Sequence, residues 1–157
     1  MDIAILFATA LTVAPASGPE CGVVGLLDID RAAYAVVNGM VGSVAADGQP
    51  SVRFFAEPLA SALGDEQRRP ERGEAPRLGP DWLSGGGSMD AVRDTSLYSL
   101  NRSGVDDIVM GLGFTNAEGE AVYRRLHLGC HEGLWRIESI FLHPEGAFLN
   151  DLLAGEP

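Results

Sequence analysis

Cys21 and Cys130 are the only thiols in the chain, and in an oxidising compartment an even count favours pairing. A bridge between them would close a loop of about a hundred residues, worth on the order of 4–5 kcal/mol in the chain-entropy picture. The alternative is a buried free Cys130 with Cys21 on a frayed end. Three further groupings carry residue types that could do chemistry. In His127-Leu128-Gly129-Cys130-His131-Glu132 the side chains suit a metal. His127 and His131, however, stand about 13 Å apart on one side of a strand, too far to share an ion, and Cys130 points the other way. Asp106 with Tyr34 or Tyr98 would be the base and hydroxyl of a proton-transfer enzyme, but Asp106 falls at a strand end and not inside a pocket. Ser84-Gly85-Gly86-Gly87-Ser88 lacks both the spacing and the Lys of a phosphate-binding loop, and reads as a flexible connection. There is no Gly-x-Ser-x-Gly elbow to support a Ser/His/Asp triad. The expectation is a non-enzymatic protein with no catalytic set, no metal and no cofactor.

The elements that would position these residues follow from periodicity. Asp28 to Ala46 places Ile29, Ala33, Val36, Val37, Met40 and Val44 on one helical stripe, with Asp28 as cap and Asp47-Gly48 and Pro50 as the stop. A second helix is expected over 52–67, or only from Glu57 if Pro58 stands in its first turn, with Phe55, Leu59, Ala62 and Leu63 on one side. Asp65 to Pro80 is a charged, Pro- and Gly-rich loop. Four strands follow, over 92–101, 106–115, 121–130 and 134–142. In the second, Ile108, Met110, Leu112 and Phe114 share a face; in the third, Val122, Leu126, Leu128 and Cys130 do, with Tyr123, Arg125, His127 and His131 opposite. Trp135 shares parity with Ile137 and Phe141 in the fourth, and Phe148 to Leu153 forms a short closing helix. Helices followed by a meander give an α+β class: N-terminal helices packed on a curved antiparallel sheet of about four strands, with a short C-terminal helix.

At 157 residues and 46% hydrophobic, the chain has room for one domain, expected over 17–157. A net charge of −11 argues against binding nucleic acid. All eleven basic residues are Arg, a composition expected of a GC-rich genome. Ile3 to Val13 is an uncharged apolar run followed by Ala14-Pro15-Ala16, so residues 1–16 read as a signal peptide cleaved before Ser17. The other reading of that run is a buried N-terminal helix. The run is too short to span a bilayer, and Gly18-Pro19-Glu20 before Cys21 is not a lipobox, so no stable membrane anchor is expected. The expected location is periplasmic or secreted.

The helix-helix-loop-meander order, the Gly133-Leu134-Trp135-Arg136-Ile137-Glu138-Ser139-Ile140 strand and the Pro144-Glu145-Gly146 ending through Leu149 to Leu152-Leu153 resemble secreted proteins of the domain-of-unknown-function 3828 type. These belong to the nuclear-transport-factor-2-like group of cone-shaped α+β folds. The resemblance implies export, a small apolar cavity under the cone and pairing through the outer face of the sheet. It supplies no catalytic residues.

Two candidate sites follow. Tyr34, Trp82, Tyr98, Met110, Phe114 and Trp135 would line a cavity for a small, flat apolar ligand, unless Trp135 is a core plug. Tyr123, Arg125 and His127 would form a contact surface for a protein partner or a second copy, unless that face is simply wet. Ligand binding under the cone is the leading expectation, with a protein-binding envelope accessory or immunity-type factor and a small isomerase-like enzyme as alternatives.

Overall fold

The computed structural model describes residues 19–21, 26–44, 48–102 and 104–155. The expected signal peptide, over 1–16, lies outside them, as does Asp47. Three helices, α1 (Leu26–Gly42), α2 (Leu59–Arg68) and α3 (Leu149–Ala154), accompany five strands, β1 (Arg93–Arg102), β2 (Asp107–Thr115), β3 (Ala121–His131), β4 (Leu134–His143) and β5 (Ala147–Phe148). The strands form one antiparallel sheet in the order β1-β2-β3-β4-β5, so the α+β class holds with one more strand than expected. The added strand is only two residues long, below the length at which alternation can be read.

The apolar stripe buries as its period dictates. Ile29, Ala33, Val36, Val37 and Met40 of α1 meet Ile108, Met110, Leu112, Val122, Leu126 and Leu128 from the inner face of the sheet. Two polar contacts fix α1 against β1: Tyr34 donates to the Leu97 carbonyl at 3.0 Å, and Arg102 pairs with Asp30. The helix begins at Leu26, so Asp28 lies inside it and is not its cap. It stops at Gly42, earlier than Ala46, and the Ser43 hydroxyl donates to the Met40 carbonyl while accepting from Ser51 N.

The second helix is shorter than its pattern suggests. Val52–Phe54 is a single 3-10 turn, and Phe55 leaves the helix to bridge Ile137 of β4, with Ala56 N donating to Ile137 O at 2.9 Å. The apolar side chain at Phe55 is buried through the sheet, and α2 starts only after Pro58. On α2, Leu59 and Leu63 face the core while Glu66, 4% exposed, turns toward the charged loop. Its Oε1 accepts from the backbone of Arg77 and, at 2.9 Å, of Leu78. One buried carboxylate thus pins the far end of the 65–80 loop, whose near end is held by the Arg72–Asp65 and Arg69–Glu74 ion pairs. Glu66→Ala is expected to cost about 1–3 kcal/mol, because two loop N–H groups lose their acceptor. Denaturant unfolding checks the cost, and faster tryptic nicking at Arg72 and Arg77 checks that the loop is what comes free.

The glycine-rich connection packs against the β2–β3 turn. Gly85, Gly86 and Gly87 have φ of 69°, 146° and 72°, and a Cβ on Gly87 would lie 2.6 Å from that of Ala117 in the β2–β3 turn. Asn116, fully buried, donates to Gly85 O at 3.1 Å and accepts from Glu118 N and Glu120 N. Ser84 Oγ lies 2.6 Å from Gly87 O. Against this loop sits Arg124, on the inner face of β3 between Val122 and Leu126 and 0% exposed. It donates from Nε to Leu83 O at 3.1 Å, from Nη2 to Trp82 O at 2.9 Å and from Nη1 to His143 O at 2.8 Å, and it forks onto Glu145 at 3.0 and 3.1 Å.

Cys21 and Cys130 form a disulfide, with Cα atoms 5.7 Å apart. Around it, Trp135 N donates to Pro19 O and Cys21 N to Gly133 O, so residues 19–21 lie beside the start of β4. Such a bond persists in oxidising compartments and is rare in the cytosol.

Candidate functional site

Pairing register decides which side chains share the outer face of the sheet. Successive cross-strand rows are Ser96-Gly113-Tyr123-His143, then Tyr98-Gly111-Arg125-Phe141-Phe148, then Asn101-Val109-His127-Ser139. The expected contact residues Tyr123, Arg125 and His127 therefore stand together on this face, each half-buried. Phe141 and Phe148 join them, which alternation along β4 does not predict. Between His127↔Ser139 and Leu128↔Ile137 the register slips by one residue, making Glu138 the extra residue of a β-bulge. Trp135 and Ile137 point inward before the bulge, Ile140 and Leu142 after it, and Phe141 moves to the outer side. The expected parity of Trp135 with Phe141 is corrected accordingly. Phe141 meets Phe148 edge-on at 5.1 Å, and the Arg125 guanidinium lies over the Phe141 ring at 4.9 Å.

Glycine makes the other half of the face flat. A Cβ on Gly111 would fall 2.7 Å from the Tyr98 ring and 2.9 Å from the Tyr123 hydroxyl, so both tyrosines close over bare backbone. Their rings stack at 6.4 Å. Desolvation, and then the neighbouring Tyr98 hydroxyl, hold the Tyr123 phenol above its ordinary value, so it stays neutral well past physiological pH. Tyr98 is 41% exposed and Leu100 45%. Leu100 sits at the irregularity between Ser99 and Asn101 on the edge strand β1. Arg125 Nε and His127 Nε2 are buried without a hydrogen-bond partner among the described residues.

The other candidate residues are dispersed. Trp82, Met110, Phe114 and Trp135 pack in the core, Trp82 Nε1 donating to Gln49 Oε1 at 3.0 Å. Tyr34 is half-buried at the α1–β1 contact, and Tyr98 lies on the opposite side of the sheet from the core. None of these six lines either of two open clefts. One, about 560 Å³, lies between the C-terminal end of α1 and the glycine-rich loop, with Val41, Asp81, Met89 and Asp90 in its walls. The other, about 280 Å³, is mostly apolar, with Pro70, Pro76, Leu78 and Pro80 around it. Asp106 is exposed, and its carbonyl accepts from Cys130 N. His131 meets Glu138 at 2.7 Å, and among the described residues no three His, Cys, Asp or Glu side chains are grouped to hold a metal. No helix among them is long and apolar enough to cross a membrane.

Together these observations define an α+β domain whose meander is covered by helices on one face and presents an aromatic, arginine-bearing surface on the other. No family model matches the chain, and no curated protein matches it. Among solved structures, it is similar to the phospholipid-binding protein from Ralstonia solanacearum, determined in complex with a phospholipid. Identity is 12% and the TM-score 0.38, over 83% of this chain and 69% of that one. A likeness of that size transfers neither ligand nor activity.

Proposed function

We propose that the protein is an exported, non-enzymatic binding protein of the cone-shaped nuclear-transport-factor-2-like kind, periplasmic or secreted, whose working surface is the outer face of its sheet. The observation that carries this reading is the row Tyr98-Gly111-Arg125-Phe141-Phe148, with Tyr123 and His127 on either side of Arg125. Tyr, Phe and Arg are the side chains that interfaces concentrate, and here a glycine lets two tyrosines lie flat beside an arginine already stacked on a ring. The disulfide supports the exported half of the reading, since it would not persist in a reducing cytosol.

A photo-crosslinking residue in place of Tyr98 is expected to capture one discrete partner in the periplasm, and Phe141→Ser to abolish the adduct while leaving the fold intact. The same crosslinker at Glu71, on the far loop, serves as control. Equal adducts from both positions, or none from Tyr98, would remove the outer face as the working surface.

A small apolar ligand is the second reading, favoured by the proline-lined cleft of about 280 Å³ beside α2. Native mass spectrometry tests it: retained mass that Leu78→Asp abolishes places the ligand there, and a bare mass with and without the substitution ends that reading.

A further inference from the structure

We infer that the outer face receives a short acidic polypeptide segment that seats a carboxylate on Arg125. This rests on the docking face proposed above and adds the chemistry of what docks. The protein carries 22 Asp and Glu against 11 Arg, yet the three rows centred on Arg125 contain no carboxylate. Arg69, Arg72, Arg102 and Arg124 each meet a carboxylate within the fold. Arg125 instead meets an aromatic ring, makes no ion pair among the described residues and keeps a buried Nε without an acceptor. A half-buried guanidinium whose Nε is dry and lacks an acceptor carries a standing cost, and an incoming carboxylate removes it through charge-assisted, two-pronged hydrogen bonding.

Size and charge choose among occupants. Four strand spacings by two row spacings make the patch roughly 20 Å by 14 Å. That is well under the area of about 800 Å² that a stable protein pair buries on each side, so it suits an extended segment and not a broad globular surface. A second copy docking through this face would set the same patch against this one. Patch against patch, it would set arginine toward arginine with no carboxylate from either side to separate them.

The test uses blocked, fluorescently labelled peptides of alternating glutamate and valine, with glutamine and lysine versions as comparators, titrated by anisotropy at low and high salt. The glutamate peptide is expected to bind about tenfold more tightly than the glutamine peptide, with the margin shrinking at high salt. Arg125→Gln should erase that margin, and Arg125→Glu should transfer the preference to the lysine peptide. If glutamate and glutamine peptides bind equally, and Phe141→Ser weakens both, the docking face stands and its acidic specificity is overturned. If no peptide binds in a Phe141-dependent way, the docking face falls with it. Two further outcomes overturn the acidic segment as occupant. One is self-association in sedimentation that Tyr98→Ser or Phe141→Ser abolishes; the other is Arg125-dependent binding of phosphatidylglycerol vesicles in place of peptide.

Discussion

Replacing Arg124 with alanine is expected to cost about 3–5 kcal/mol, lowering the unfolding midpoint by roughly 10 °C or more. The reason is the number of acceptors one guanidinium holds. Trp82 O, Leu83 O and His143 O all accept from it, and the first two would be left in a dry interior beside the space of a deleted side chain. Burial, the largest influence on Arg124, pushes its proton affinity below the ordinary arginine range, and the Glu145 carboxylate pulls it back up, so the side chain remains a cation. Glu145 is 39% exposed, and its own removal should matter far less. Glu145→Gln is expected to cost about 1 kcal/mol, since the backbone carbonyls still hold Arg124 and solvent screens the carboxylate. Denaturant unfolding of the two variants side by side checks this. Equal losses would mean that the ion pair, and not the carbonyl cradle, secures the glycine-rich loop.

Breaking the Cys21–Cys130 bond is expected to cost at least as much, about 4–5 kcal/mol in the chain-entropy picture, because the bond spans 109 residues. Cys21→Ser with Cys130→Ser, or reduction of the native protein, should lower the midpoint by a similar amount. The effect should not be a local one at the N-terminal segment. The bond joins residues 19–21 to β3 next to Trp135, so losing it also loosens the contacts from Trp135 N to Pro19 O and from Cys21 N to Gly133 O. Hydrogen exchange at those two amides separates the local effect from the global one. A variant that lost protection there while keeping its midpoint would show that the bond only tacks down the strand end.

The parts of this fold legible in the sequence are those that local periodicity determines. The α1 stripe from Ile29 to Met40, the alternation of Ile108, Met110, Leu112 and Phe114, and the turn at Asn116 to Gly119 each carry their own signal. The disulfide was legible from count and compartment. What escaped was set by partners distant in the chain. Phe55 leaves its helix for a bridge to Ile137, and a glycine run that reads as flexible is packed against the β2–β3 turn. The contact stripe Tyr123, Arg125 and His127 follows from strand parity alone, but parity groups Phe141 with Trp135 and Ile137, because nothing in the sequence marks the bulge at Glu138 that reverses parity partway along β4. One hint was present: Arg124 occupies an inward position between Val122 and Leu126, and an arginine there requires acceptors from elsewhere.

The covalent bond between residue 21 and the end of β3 also sets how the molecule would respond to being pulled by its ends. Tension entering ahead of Cys21 crosses directly to Cys130, and everything between them, including α1, α2 and the first three strands, is short-circuited. Among the described elements, β4, β5 and α3 are those left in the load path, so they are what tension can unravel in an oxidised molecule. Reduction would release the shielded loop of 109 residues, adding a contour of roughly 380 Å.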